Sequence, residues 1–218
     1  TSCLRMASDD LRHLVIASTN AGKITEFASL LASLPVRVLR QPERLQVDEN
    51  GTTFAENARL KAVAVAKATC SWALADDSGL SVQALDGAPG VHSARYAETD
   101  GSRIERLLRE LADVNERRRS LGLQPDRFAH FTAALAVADA DGEILLEVEG
   151  ICPGRILESP RGRLGFGYDP VFFVPEVGMS FAEMDPAIKS SIGHRGRAFA
   201  LLEPRLRQLL LKPSSHRP

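Results

Sequence analysis

The sequence predicts an α/β fold built on a mixed β-sheet, and three observations carry that prediction. Short apolar runs alternate with amphipathic helical patterns through the first half of the chain. Two long apolar runs joined by Asp141-Gly142 then read as a β-hairpin, so antiparallel strands join strands that are linked by helices. Helix-start signals recur ahead of the apolar stripes, at Thr53 with Glu56, at Ser102 with Glu105, and at Asp185-Pro186.

The elements follow in order. "HLVIAST" (His13 to Thr19) is an apolar run ending in small polar residues and reads as a buried strand. "NAGKITEFASLLASL" sets Ile24, Phe27, Leu30, Leu31 and Leu34 at helical spacing and is closed by Pro35. "VRVL" (Val36 to Leu39) alternates as a second strand, and "QPERLQVDENGTT" is a polar loop. The next helix carries Phe54, Ala58, Ala62 and Val65 on one apolar stripe. "ALADDSGLSV" (Ala73 to Val82) is a strand that leads into the Gly- and Pro-bearing loop "DGAPGVHSARYAETDG". Ile104, Leu107, Leu108 and Leu111 make a third amphipathic helix, and "NERRRSLGLQPD" reads as a polar connector. After the hairpin, "GFGYDPVFFVP" (Gly165 to Pro175) is a Gly-rich loop entering a strand, and a helical pattern resumes after Gly196.

Composition narrows the function classes. Hydrophobic residues make up 44% and charged residues 25% of the 218, an ordinary globular balance. A net charge of −1 argues against nucleic acid or a membrane surface as partner, since either favours a basic excess. No apolar run approaches the roughly 20 residues that span a bilayer. Cys3, Cys70 and Cys152 are odd in number and lack CxxC spacing, which disfavours a disulfide scaffold or zinc site and points to a reducing, cytoplasmic setting. The five His residues are scattered, with no HExxH. "TSCLRMASDD" lacks the apolar stretch of a secretory signal; residues 1–12 and 213–218 are expected to be tails around one domain of residues 13–212.

Four places carry chemistry. "STNAGK" leaves a strand and opens a helix, so backbone N–H groups and Lys23 form a plausible phosphate cradle; an ordinary strand–turn–helix connection is the other reading. It is not a Walker A loop, because Ile24 follows the Lys where Ser or Thr is needed. Asp48, Glu49, Asp76 and Asp77 are hard oxygen donors suited to Mg²⁺, although an Asp-Ser-Gly turn also explains the last pair. Two carboxylates at about 4 Å repel by about 4 kcal/mol at an effective dielectric of 20, a cost that a divalent cation or a Lys reverses. "GFGYD" lacks the third Gly of a dinucleotide fingerprint, but it sets Phe166 and Tyr168 beside flexible Gly residues, which suits stacking on a flat base or plugging a core. "KSSIGHRGRA" gathers Lys189, His194, Arg195 and Arg197 around Gly193 and Gly196, either to read a carbonyl edge or phosphate or as a solvated basic face. No Ser has GxSxG or SxxK surroundings.

The strand before "STNAGK", then "TFAENARLKA", "ADDSGL", "GAPGVHSARYA", "GFGYDPVFF" and "KSSIGHRGRA", in that order, resemble the inosine triphosphate pyrophosphatase family from about Leu14 to the final helix. The resemblance implies an elongated central mixed sheet flanked by helices in two lobes, with a nucleotide-binding groove between them. It implies a homodimer that uses Mg²⁺ to cleave ITP, dITP or XTP between the α- and β-phosphates, giving monophosphate and pyrophosphate. Residue by residue, it assigns the triphosphate to Ser18, Thr19, Asn20, Ala21, Gly22 and Lys23, and makes Asp77 the proton acceptor. Glu49 and Asp77 are implied as Mg²⁺ ligands, with Asp48 a competitor, and Ser78 as a substrate contact. Phe166, Gly167, Tyr168 and Asp169 line the base; Lys189, His194 and Arg195 take its remaining edge and the phosphates. Family members commonly carry Ser where this chain has Gly193. For Asp77 and Ser78 to meet one substrate, strand alternation is expected to break at about Asp77, with Gly79 allowing the turn. An Asp-nucleophile phosphatase and a non-catalytic nucleotide sensor are the competing readings.

Overall fold

A computed structural model of the chain describes residues 11–211; most of both expected tails lies outside that range. Among the described residues seven strands form one sheet: β1 (Arg12–Ala17), β2 (Val36–Arg40), β3 (Trp72–Val82), β4 (Phe128–Ala138), β5 (Ile144–Ile156), β6 (Phe172–Val174) and β7 (Met179–Ser180). Their order is β2-β1-β3-β4-β5-β6-β7. β1 runs parallel to both β2 and β3, while β6 is antiparallel to β5 and β7, so the sheet is mixed as the pattern predicts. The described residues also form five α-helices that flank it: α1 (Ala21–Leu30), α2 (Phe54–Thr69), α3 (Asp100–Ser120), α4 (Pro186–Ile192) and α5 (His194–Leu211).

Local chemistry explains most of the boundaries. Thr53 and Glu56 close the expected capping box on α2, and the helix ends where Cys70 turns left-handed at φ 48°. Asp185 caps α4 by accepting from the Ile188 amide. At the hairpin turn, one Asp139 carboxylate oxygen accepts from the Asp141 and Glu143 amides. Cys152 is a buried free thiol, and Cys3 lies outside the described residues.

Three local expectations need correction. Helix α3 is capped by Thr99, not Ser102: Thr99 Oγ1 accepts from the Ser102 amide and Ser102 Oγ from the Thr99 amide. The same helix runs on to Ser120 through the supposed connector. Arg117, Arg118 and Arg119 suit the negative end of its dipole, and buried Asn115 makes paired hydrogen bonds with the Asp126 backbone. Strand β3 does not break at Asp77 but continues through Gly79 to Val82. Unbroken alternation therefore sends Asp76 and Asp77 to opposite faces of the sheet.

The chain divides into two compact units. The first comprises the described residues up to Asp77, Ala134–Glu149 and those from Ala198 onward; the second comprises Ser78–Ala133 and Gly150–Arg197. In the first, small side chains of α2 (Ala58, Ala62, Val65, Ala66) pack on Val15, Ala17, Ala73, Ala75, Ala134 and Ala136. The second has a bulkier core of Leu107, Leu111, Phe131, Tyr168, Phe172 and Phe181. Within it, Gly193 between α4 and α5 and Gly196 in the first turn of α5 answer a steric need. A Cβ at Gly196 would lie 1.7 Å from the Ser190 carbonyl oxygen, and one at Gly193 2.6 Å from that of Lys189. Backbone rather than a flexible side chain blocks both, so Gly196→Ala is expected to destabilise the protein by about 3 kcal/mol. Chemical denaturation of the variant checks this.

Candidate active site

In the first unit, β1 ends where Ser18 Oγ accepts from the Asn20 amide, and Asn20 Oδ1 caps α1 by accepting from the Lys23 amide at 3.0 Å. This leaves the Ala21 and Gly22 amides at the helix start without intrahelical acceptors, on a turn where Thr19, Asn20 and Ala21 are exposed. The Lys23 ammonium lies 2.7 Å from Asp76 Oδ2, so one of the adjacent aspartates is matched by the cradle lysine.

The other aspartate faces α2. Lys61 Nζ lies 3.0 Å from Glu49 Oε2 and 3.3 Å from Asp77 Oδ1, bridging the two carboxylates. The Lys61 and Asp77 side chains are only 11% and 9% exposed. Glu49 is half-buried on its loop while Asp48 is exposed, so Glu49 is the loop acid that joins Asp77. That loop is tied to α2 by the Gly51 amide donating to Asn57 Oδ1 and the Thr52 amide to Glu56.

Burial sets the electrostatics. It pushes the Asp77 carboxyl above its ordinary pKa, and the ammonium groups of Lys61 and Lys23 offset this only in part. Burial acts the same way on Glu49, but the charge and hydrogen bond of Lys61 outweigh it and hold that carboxyl below its ordinary value. For Lys61 burial favours the neutral amine, and Asp77 and Glu49 overcome this to keep the ammonium. Asp77 Oδ2 and Asn57 Nδ2 are buried and make no hydrogen bond of normal geometry, although the amide is near enough to favour the carboxylate.

This arrangement fits a divalent cation. Two oxygen donors already converge on a cationic centre, and a buried oxygen of one of them has unused capacity. Among the described residues no group of three or more His, Cys, Asp or Glu side chains is placed to hold a metal. Mg²⁺ takes one or two carboxylates plus substrate phosphates, so the pair is sufficient in kind.

In the second unit, Ser78 Oγ accepts from Arg195 Nη2 at 2.7 Å. Asp169 is buried, and its Oδ2 accepts from the Phe166 amide at 2.9 Å and from Lys189 Nζ at 2.6 Å. Half-buried Phe166 has the Lys189 ammonium 5.0 Å and the Arg195 guanidinium 5.4 Å from its ring centroid. Ser78, Phe166, Asp169, Lys189 and Arg195 thus form one connected group.

Two of the expected residues lie deeper. Tyr168 is buried in the core, its hydroxyl donating to the Ser93 carbonyl, and burial drives its pKa well above the usual phenol value. Its ring is therefore not an open stacking face. The His194 ring is 3% exposed and stacks 4.6 Å from Phe131 and 5.9 Å from Phe181. Residue-level reading of the sequence missed Lys61 and Asn57. The available signal was register: both fall beside Ala58, Ala62 and Val65 on the buried side of α2, where a polar side chain needs a partner.

Comparison with known proteins gives concordant matches. The Ham1 family pattern matches residues 14–205. A dITP/XTP pyrophosphatase of Prochlorococcus marinus (strain MIT 9313) is 58% identical over 95% of this chain and 98% of its own length. The dITP/XTP pyrophosphatase of Synechococcus sp. (strain CC9311) is 59% identical over 91% of this chain and 92% of its own. Among solved structures, a HAM1 protein from Coxiella burnetii aligns with a TM-score of 0.80 at 39% identity, covering 91% of this chain and all of the other. A nucleoside-triphosphatase / dITP/XTP pyrophosphatase from Mycobacterium abscessus aligns at 0.66 and 37% identity, covering 88% of this chain and 99% of its own.

Proposed function

The chain belongs to the Ham1 family, and we propose that it hydrolyses non-standard purine nucleoside triphosphates (ITP, dITP and XTP) to monophosphate and pyrophosphate, clearing deaminated purines from the nucleotide pool. The observation that carries the reading is the buried Lys61 ammonium bridging Glu49 and Asp77 at 3.0 and 3.3 Å, in a chain 58% identical to a dITP/XTP pyrophosphatase.

Phosphate chemistry falls to the first unit. The amides of Ala21 and Gly22 and the charge of Lys23 bind the triphosphate, with Ser18, Thr19 and Asn20 shaping the turn. Glu49 and Asp77 would hold Mg²⁺, which would supply positive charge to neutralise the phosphate oxygens. Lys61 fixes both carboxylates and adds positive potential where negative charge grows. Asp77 orients the attacking water and takes its proton as the bond between the α-phosphorus and the bridging oxygen breaks. Burial raises the Asp77 pKa in the metal-free protein; Mg²⁺ at the same carboxylate would lower it, so Asp77 acts more by orienting the water than by proton affinity.

Base recognition falls to the second unit. Phe166 offers a stacking face, and Asp169, Lys189 and Arg195 supply the polar edge, with Gly167, Tyr168 and His194 shaping it from behind. Hypoxanthine and xanthine present an O6 acceptor that matches cationic donors, whereas adenine presents an N6 donor that leaves them unpaired. Ser78 extends the Arg195 contact toward the substrate. A homodimer belongs to the same proposal and rests on the family resemblance, and a cytoplasmic location rests on the three cysteines without CxxC spacing.

The selectivity test compares kcat/KM for ITP, XTP and ATP. The expected ratio of ITP or XTP over ATP is at least about a hundredfold, in line with sites that read hydrogen-bond polarity. Equal values for all three would remove the pool-cleansing role.

A further inference from the structure

The loop that presents Phe166 is held at two backbone amides by two carboxylates. The Phe166 amide donates to Asp169 Oδ2 at 2.9 Å, a bond local to the turn. The Gly167 amide donates to Asp100 Oδ2 at 2.7 Å, reaching a residue 67 positions away in the first turn of α3. Gly165 and Gly167, at φ 77° and 62°, bracket Phe166, so little intrinsic stiffness holds this stretch in place. Asp169 is anchored by Lys189 Nζ at 2.6 Å and by the Ala182 amide donating to its carbonyl at 3.2 Å, and Leu164 before the turn donates to the Ala182 carbonyl at 3.0 Å, so the segment left between these anchors is Gly165 to Gly167. The Tyr168 hydroxyl bond to the Ser93 carbonyl secures the far side of the turn, and Asp100 is, among the described residues, the one acid from outside the turn that holds an amide within Gly165 to Gly167.

Asp100, whose side chain is 49% exposed, is oriented rather than locked by its neighbour. Its Oδ1 accepts from Arg103 Nη1 at 2.7 Å, and Arg103 Nε in turn donates to the Ala97 carbonyl at 2.9 Å. Both carboxylate oxygens are therefore engaged, one orienting the acid and the other fixing the loop. A charged acceptor on a backbone amide is among the stronger hydrogen bonds available to such a turn.

We propose that Asp100 is a positioning residue for base recognition: by holding the Gly167 amide, it keeps the Phe166 ring and the Asp169 carboxylate in the geometry that receives a purine. It touches no substrate. The inference rests on the functional reading above, and it extends that reading to a residue in the loop-to-helix segment after "GAPGVHSARYA". Its consequence is selective. Loss of the anchor weakens recognition of the base and leaves phosphate chemistry, carried by the first unit, intact.

The test measures kcat and KM for ITP, inhibition by inorganic tripolyphosphate, which has no base, and thermal unfolding, in the wild type, Asp100→Ala, Asp100→Asn and Arg103→Ala. Asp100→Ala is expected to raise KM about tenfold, the effect of losing one charge-assisted hydrogen bond, with kcat and tripolyphosphate inhibition within about twofold of wild type. Asp100→Asn keeps an acceptor for the Gly167 amide and is expected to restore KM to within about threefold. Arg103→Ala leaves the Gly167 bond in place and is expected to stay within about twofold in KM. An unchanged KM in Asp100→Ala overturns the inference. So does weakening of tripolyphosphate inhibition in step with KM, or a rise in Arg103→Ala equal to that in Asp100→Ala. If Asp100→Ala does not fold, Asp100→Ser takes its place, since Ser suits a helix start but is too short to reach the Gly167 amide: a KM rise of about tenfold with tripolyphosphate inhibition unchanged upholds the proposal, and an unchanged KM overturns it. A wild type that does not convert ITP to IMP and pyrophosphate removes the functional reading itself; a wild type that does so while the variants disagree removes only the role of Asp100.

Discussion

Asp77→Asn is expected to lower turnover of ITP by about a thousandfold while leaving the metal-free protein at least as stable as the wild type. The two effects share one cause. Asparagine keeps the shape of the side chain but cannot take a proton and is a poor ligand for Mg²⁺. The stability effect follows from the raised pKa of Asp77, which burial dominates. A carboxyl whose folded pKa lies above its unfolded value contributes stability in acid, and that contribution is lost as pH rises through the folded pKa. At neutral pH the ionised group is a net cost to the fold in the absence of Mg²⁺, and a neutral amide removes the cost. Thermal melts with and without Mg²⁺ check the second half: Mg²⁺ should raise the melting temperature of the wild type and much less that of the variant. A variant with near-normal turnover would sink the assignment of Asp77.

Lys61→Met is expected to be both inactive and unstable, by about 3 kcal/mol or more. Met matches the length of the Lys stem but leaves Glu49 and Asp77 without the ammonium between them. Removing one partner from a buried pair costs more than the pair contributes, because the remaining charges stay desolvated. The pH dependence gives the diagnostic. Without Lys61 both carboxyls move up in pKa, so the stability of the variant should recover as pH falls and the acids protonate. For wild-type Glu49 the sign is opposite: its pKa is lowered, so its contribution is present at neutral pH and lost in acid. Melting temperatures of the variant across acid to neutral pH, set beside those of the wild type, read this directly. A variant as stable as wild type at neutral pH would show that the bridge does not matter.

Much of the fold was legible because periodicity and capping are local signals. The apolar stripe on α2 and the Asp-Gly turn between β4 and β5 declare themselves within a few residues. The misread start of α3 came from two overlapping cap patterns, Thr99 with Ser102 and Ser102 with Glu105. Only the bonds made by Thr99 decide between them. Strand β3 was expected to break because Asp77 and Ser78 were assigned to one substrate. The unbroken strand instead gives each aspartate its own lysine, Lys23 for Asp76 and Lys61 for Asp77. That pairing spans distant segments of chain, and no local pattern announces it. The burial of Tyr168 and His194 was hidden for the same reason, since aromatic residues in Gly-rich loops look alike in sequence whether they face solvent or core.

The most direct measurement of the central claim is the phosphorus NMR spectrum of the products formed from ITP and Mg²⁺. The account predicts IMP and pyrophosphate in equal amounts, with no inorganic phosphate. Phosphate appearing together with IDP would contradict it and favour the phosphatase reading, and binding of ITP with no product at all would favour a nucleotide sensor.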